Sequence, residues 1–441
     1  MELLITVLFL AFFLWLAFRQ SKKTDVGLPV WAPTVFLATK FIVGYAVFLI
    51  FTFHYPDRND ADIFKYYDDA MVLFNYMKQD HTSILPIMLK SDIPVELSPR
   101  MRSWFSGSGF NLFDSSQAMV KIHVLIRLVS FGSYHVHSFF FCFLSFAGCM
   151  YLLRSIRLVF EVNPWFLLAC FCFPSFLLWS SAPLKESVAV CLIMISFAGA
   201  IWYFVNGSSR HLAFSLLAIS SLYVIKPFYV LVFLSCMVIV WINKSGSTRS
   251  LLFHVFLVVG LVWLCDLMLP DYSPIDMLAR KQKDYFDHFN WQSARSMSEI
   301  PALQPDISGL IKLFPNVLVN VFLKPFPWES VNVLYLASSI ENLLIVALLS
   351  VTILRFHKSK NVAVRRVVLL MLSFFFVTYF VLGFSCPVIG TLMRFKSPAL
   401  VFVPLAFMLV SPFFKIALPI RTANVKVRED QKRSDQQGQN N

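Results

Sequence analysis

The stretch Phe173–Ser187, FPSFLLWSSAPLKES, climbs an apolar run through Pro174 and Trp179 and halts on the charged pair Lys185-Glu186; another apolar run starts at Ser187. Apolar runs that abut across a charged pair read as membrane spans meeting at the membrane edge. Ionisable side chains there are expensive and tend to be functional. Outward from this stretch the pattern repeats along all 441 residues, which are 58% hydrophobic and only 14% charged, with a mean hydropathy of +0.68. Such a composition excludes a water-soluble globule and predicts a polytopic membrane protein. The alternating segments of about ten residues that mark an outer-membrane barrel are not seen, so the predicted class is all-α.

About 11 transmembrane helices are predicted, most of them near the ~20 residues that cross ~30 Å of hydrocarbon. They run over about Leu3–Phe18, Ala32–His54, Val136–Leu153, Trp165–Ser181, Ser187–Val205, Leu212–Ile225, Pro227–Ile242, Leu251–Leu269, Val333–Leu354, Val367–Phe384 and Ala399–Ala417. Met1–Phe18 has neither a basic leader nor a small-residue cleavage site, so it is kept as a span. Two long polar segments, about 55–134 and 270–332, interrupt the series. Each contains an amphipathic piece, Ala118–Val129 and Leu310–Phe322, the first suited to lying in the interface. Residues 1–420 read as one transmembrane domain, and the charged, Gln/Asn-rich tail 421–441 as disordered.

Lys and Arg number 38 against 25 Asp and Glu, a formal charge of +13. On the side of Arg19–Lys23 there are about 19 basic against about 5 acidic residues, and on the other about 18 against about 17. The positive-inside rule then sets the amino terminus outside, the carboxyl terminus inside and both long segments extracytoplasmic. Topology accounts for the basic excess, and no nucleic-acid partner is needed. The eight Cys (142, 149, 170, 172, 191, 236, 265, 386) lie in or beside apolar runs without zinc spacing and read as small core hydrophobes.

In that topology the unusual polar features share the outer face. Asp57, Asp60, Asp62, Asp68 and Asp69 crowd the start of the first long loop. Carboxylates there can act as general base toward a hydroxyl or hold a divalent metal such as Mg or Mn; the alternative is a solvated acidic loop. Asp62 and Tyr66 would share a helical face, as would Lys65 and Asp69. Glu186 suits the amino end of the fifth span, whereas Lys185 opposes that dipole. With Lys226, Arg394 and Lys396 it forms a cationic group able to hold phosphate or pyrophosphate, unless each simply snorkels from a helix end. The KPFPWE turn offers Lys324, Trp328 as an interface anchor or a platform for a sugar ring, and Glu329 for hydroxyls. Glu341, inside the ninth span, needs a partner, and Asp266 is similar but nearer water. His135 and His137 have no third ligand in the sequence, so no metal site is assigned to them. Lys40 reads as snorkelling from the second span.

Asp62 to Tyr66, PSFLLWSSAPLKES, the Ile225-Lys226-Pro227 corner, KPFPWE followed by Glu341-Asn342, and GTLMRF with Pro398 together resemble bacterial GT-C-type membrane glycosyltransferases and the neighbouring O-antigen and exopolysaccharide polymerase-like proteins. The resemblance extends from about Tyr55 to about Pro404. It implies a multi-pass inner-membrane enzyme of cell-envelope polysaccharide biosynthesis. Such proteins take polyprenyl-phosphate or polyprenyl-diphosphate sugars and a saccharide acceptor on the periplasmic face. It further implies Asp60 or Asp62 as the catalytic or metal-binding carboxylate and Arg394 and Lys185 on the lipid phosphate. The chain departs from polymerase-like relatives in having Lys185-Glu186 for Arg-Gln and Lys324 for Arg.

The expected function is transfer or polymerisation of sugars from such donors. Its catalytic candidates are Asp60, Asp62 and Glu186, and its substrate-binding candidates are Lys185, Lys226, Lys324, Trp328, Glu329, Glu341, Arg394 and Lys396. The alternative is a transporter or flippase of lipid-linked saccharides without catalysis. Transporters place polar groups near the midplane and often show internal repeats; here no repeat is seen and the polar groups gather at one face. An assembly partner of an envelope complex is a third reading, which leaves the cationic group without a role.

Overall fold

Long apolar runs in which Gly and Pro are sparse predict helices, and helices form. Among the described residues there is no strand, only an isolated bridge between Met297 and Val388. The structure, a computed structural model, describes residues 2–23, 27–54, 58, 61–90, 93, 95–101, 103–104, 115–243, 260, 268, 273–288, 297–298, 300–329 and 333–411. In chain order the helices are α1 (Glu2–Lys23), α2 (Trp31–His54), α3 (Asp62–Gln79), α4 (Ile84–Lys90), α5 (Ser115–Ser130), α6 (Tyr134–Val159), α7 (Pro164–Cys170), α8 (Pro174–Ser180), α9 (Lys185–Asn206), α10 (Ser209–Ser221), α11 (Pro227–Ile242), α12 (Pro274–His288), α13 (Ile307–Phe322), α14 (Val333–Phe356), α15 (Val362–Ser385), α16 (Ile389–Leu400) and α17 (Phe402–Val410). Seven described stretches are long and apolar enough to cross a membrane: Glu2–Lys23, Trp31–Phe53, Tyr134–Val159, Lys185–Asn206, Val333–Phe356, Val362–Ser385 and Ile389–Val410. The protein is therefore an all-α, multi-pass membrane protein.

Three expected elements come out differently. The helix expected over Trp165–Ser181 is two short ones, α7 and α8, because Pro174 has no amide proton to donate and disfavours helical backbone in the residue before it. The helix expected over Leu212–Ile225 is α10, which stops at Ser221 and passes into a 3-10 turn at Leu222–Val224, whereas α11 forms over the expected Pro227–Ile242. Residues 385–398, expected as a loop, are helical from Ile389, so Arg394 and Lys396 lie within a span. Pro398 removes the amide that would have bonded the Arg394 carbonyl four residues back, and the Ser397 hydroxyl donates to that carbonyl instead, at 2.8 Å. The predicted span Leu251–Leu269, Asp266, and the tail from Arg421 lie outside the described residues.

The chain divides into two compact units. Unit 1 comprises Met1–Leu152, Phe176–Ser196 and Leu216–Leu231; unit 2 comprises Leu153–Ser175, Phe197–Ser215 and Val232–Asn441. In unit 1, α1 lies on α2 and α3 on α5. Helix α1 buries only Phe13 and Ala17 and turns an apolar face outward, as a lipid-facing helix does. Gly148 lets α6 approach α9: a Cβ there would lie 2.7 Å from the Cys191 Cα. The turn after α8 is buried, with Ala182 and Leu184 packed against Ile63 and Phe64 of α3. Full burial of Ile, Phe or Leu stabilises by about 1.5–3 kcal/mol relative to water. This packing sets the start of α9 beside α3.

In unit 2, α15 is the centre: α12, α13, α16 and α17 all pack on it, and α17 also contacts α14 and α7. Gly383 of α15 admits Val317 and Val321 of α13. Phe197, Phe233, Phe374 and Phe402 form an aromatic core. All described cysteines except Cys172 are buried.

Candidate functional site

The sequence-predicted residues fall into two groups, one in each unit. In unit 1, Lys185 opens α9, and its ammonium donates to the hydroxyls of Ser115 at 2.8 Å and Ser116 at 3.3 Å, which open α5. It also lies 5.2 Å from the centre of the Tyr66 ring on α3. The amino ends of two long helices and an ammonium thus gather positive potential. Both serine oxygens accept from Lys185. Asp62 stands one turn before Tyr66 on the same face of α3, half-exposed and 3.8 Å from Lys65. Asp57 and Asp60 lie outside the described residues.

The other aspartates of this loop have structural partners. Asp68 takes a bidentate bond from Arg58 at 2.9 and 3.0 Å, which raises the Arg58 pKa. That pair is exposed and contributes about 1 kcal/mol at most. Asp69 is buried and clasps the loop, accepting from the Ser103 amide at 2.8 Å, the Trp104 amide at 3.1 Å and the Ser103 hydroxyl. Among the described residues no three His, Cys, Asp or Glu side chains gather as a metal site.

Glu186, one residue after Lys185, is buried and accepts from Lys226 at 2.9 Å. The two read from the sequence as catalytic and substrate-binding residues are an ion pair. Lys40 does not snorkel: it is fully buried and donates to Ser180 at 2.7 Å, about 14 Å into α2. His137 meets His123 of α5, Nδ1 to Nδ1 at 2.9 Å, and its Nε2 meets Ser130 at 2.8 Å. Burial first, and then His137, hold the His123 pKa well below its ordinary value.

In unit 2, Glu341 and Asn342 on α14 and Lys396 on α16 form a buried polar network. Lys396 donates to the Val321 carbonyl at 3.2 Å, in the last turn of α13, and to Asn342 Oδ1 at 2.8 Å. Asn342 Nδ2 donates in turn to the Lys324 carbonyl at 2.8 Å. An ammonium at a helix carboxyl end satisfies carbonyls that have no partner within the helix. Glu341 Oε2 accepts from the Ser175 amide at 2.9 Å, in the first turn of α8. Arg394 is half-buried and lies over the neighbouring Phe395 ring.

The KPFPWE turn presents Trp328, 79% exposed and stacked on Phe326 with ring centres 4.8 Å apart. Glu329, also exposed, accepts from the Phe326 amide at 3.3 Å. The indole is thus backed by a second ring with a carboxylate nearby. The sequence reading missed Ser115, Ser116, Ser175 and the role of Asp69. Paired serines opening a helix at Ser115-Ser116 were the available signal for the first two.

No known protein family, characterised protein or solved structure matches this chain. Fold and composition define a class, the α-helical multi-pass membrane proteins.

Proposed function

We propose that the protein transfers or polymerises sugars from polyprenyl-phosphate or polyprenyl-diphosphate donors on the extracytoplasmic face of a bacterial inner membrane. The observation that carries this reading is the Lys185 ammonium between two serine hydroxyls at the amino ends of α5 and α9. A phosphate there receives hydrogen bonds from Ser115 and Ser116 and charge from Lys185. The acceptor hydroxyl attacks the anomeric carbon, the carbon–oxygen bond to phosphate breaks, and its electron pair leaves with the lipid phosphate. Asp62, or Asp60, takes the hydroxyl proton, and the Lys185 ammonium stabilises the charge on the leaving phosphate. Glu186 in this mechanism fixes Lys226, because its own charge is already committed to that pair. Trp328 and Glu329 suit a saccharide, and Mg or Mn at the Asp57–Asp69 loop is the metal this reading admits. The proposed topology has about 11 spans, the amino terminus outside and the tail cytoplasmic.

A second reading, transport of lipid-linked saccharides without chemistry, is favoured by the ionisable groups buried inside spans, Lys40 in unit 1 and Glu341 with Lys396 in unit 2. Surface glycan and its lipid-linked precursor separate the two in cells carrying Asp60→Asn, Asp62→Asn or Lys185→Ala at normal membrane levels. Loss of glycan by about 100-fold or more in Lys185→Ala and one aspartate variant, with precursor on the outer leaflet, is the expected result. Precursor held on the inner leaflet overturns the enzyme in favour of transport, and unchanged glycan in Lys185→Ala overturns both roles for this site.

A further inference from the structure

Glu341 is the ninth residue of α14, about 12 Å along the helix from its start, and Lys396 the eighth of α16. Both are closed off from solvent, with exposures of 3% and 1%. Two acidic or hydroxyl oxygens on this face have no hydrogen-bond partner among the described residues: Glu341 Oε1 and, three residues earlier, Ser338 Oγ. Ser338 is 2% exposed, and the i, i+3 spacing stacks the two on one side of α14.

An intramembrane carboxylate with one oxygen bonded and the other bare is held at considerable expense unless it can become neutral. Lys396 spends two of its three protons on the Val321 carbonyl and Asn342. It acts on Glu341 through space, as counter-charge and not as a bonded partner. At these exposures there is no access for a sugar or a phosphate. What the bare oxygen can accept is a proton.

We propose that Glu341 is a proton-exchange site inside the membrane, with Lys396 as its fixed counter-charge. The proton comes from bulk water and resides on Oε1. Neutralised, the carboxyl is a weaker acceptor for the Ser175 amide, so proton uptake loosens the first turn of α8. The titratable or charged groups on the elements packed around this face are Lys312, Lys324, Arg365, Arg366, Arg394 and Lys396, the Glu329 carboxylate of the KPFPWE turn, and the Tyr379 hydroxyl, whose ring lies 5.6 Å from the Lys396 ammonium; Tyr335 and Arg355 share α14 with Glu341. Helix α17 carries none.

This inference goes beyond the sugar-transfer reading and does not depend on it. The test is infrared difference spectroscopy of the purified full-length protein in lipid nanodiscs, stepped between neutral and acid pH. The expected result is a carbonyl band of a protonated carboxyl that grows on acidification and disappears in Glu341→Gln. Lys396→Met, which removes the counter-charge, moves the midpoint of that band up by about 1–3 pH units. If Glu341→Gln fails to fold, Glu341→Asp retains a carboxyl and must shift the same band. The absence of a pH-dependent band in the wild type, a band unchanged in Glu341→Gln or Glu341→Asp, or a midpoint unmoved in Lys396→Met overturns the proposal.

Discussion

Glu186 and Lys226 are forty residues apart in the chain and 2.9 Å apart in the fold. Their burial sets what their removal does. Glu186→Ala alone leaves the Lys226 ammonium buried without its counter-charge, and the expected loss is about 3–5 kcal/mol of stability. The double variant Glu186→Met/Lys226→Met removes both charges and is expected to recover most of that loss, because two well-packed apolar chains avoid desolvating either ion. Thermal unfolding of the detergent-solubilised protein compares the three proteins. Equal losses in the single and double variants would refute the pairing as the source of the effect. Lys185, the adjacent residue, was legible as unusual from sequence because a cation at a helix amino end opposes the dipole. Its serine partners are marked locally only as a pair opening a helix; that they meet a lysine seventy residues away has no local signature.

At the scale of the element, Gly148 and Pro174 decide more than their neighbours do. Gly148 has the Cys191 backbone where its Cβ would be, so α6 and α9 touch main chain to main chain. Gly148→Leu is expected to force them apart and remove about 1–3 kcal/mol of stability, read as a lowered thermal midpoint; an unchanged midpoint would show that the contact yields freely. Pro174 ends one helix and starts the next, and that break was present in the sequence as a proline inside an apolar run. The opposite failure occurred over residues 385–398. Pro387, Gly390, Arg394, Lys396 and Pro398 lower the local helical and apolar signal, and the segment reads as a loop. It is helical because its polar groups are satisfied: Lys396 finds the end of α13 through the tertiary fold, and Ser397 repairs the gap at Pro398 within its own helix.

For the whole molecule, the proposed orientation predicts that an epitope inserted within residues 107–109 is labelled from outside intact spheroplasts and that a fusion after Asn441 is not. The reverse pattern would invert the charge argument and move the Lys185 site to the cytoplasm. Membrane class and helical architecture were legible without any coordinates, because hydropathy and residue spacing are local, and a backbone in lipid has few ways to bond itself. The sequence also marked most of the ionisable residues that matter, since charge inside an apolar run is conspicuous. Which charges are partnered, which are closed off and which present a donor or acceptor depended on the tertiary structure. Asp69 became a loop clasp, Lys40 a buried donor, and Glu341 a carboxyl with one bare oxygen, because hydrogen-bond satisfaction is decided by groups that only folding brings together.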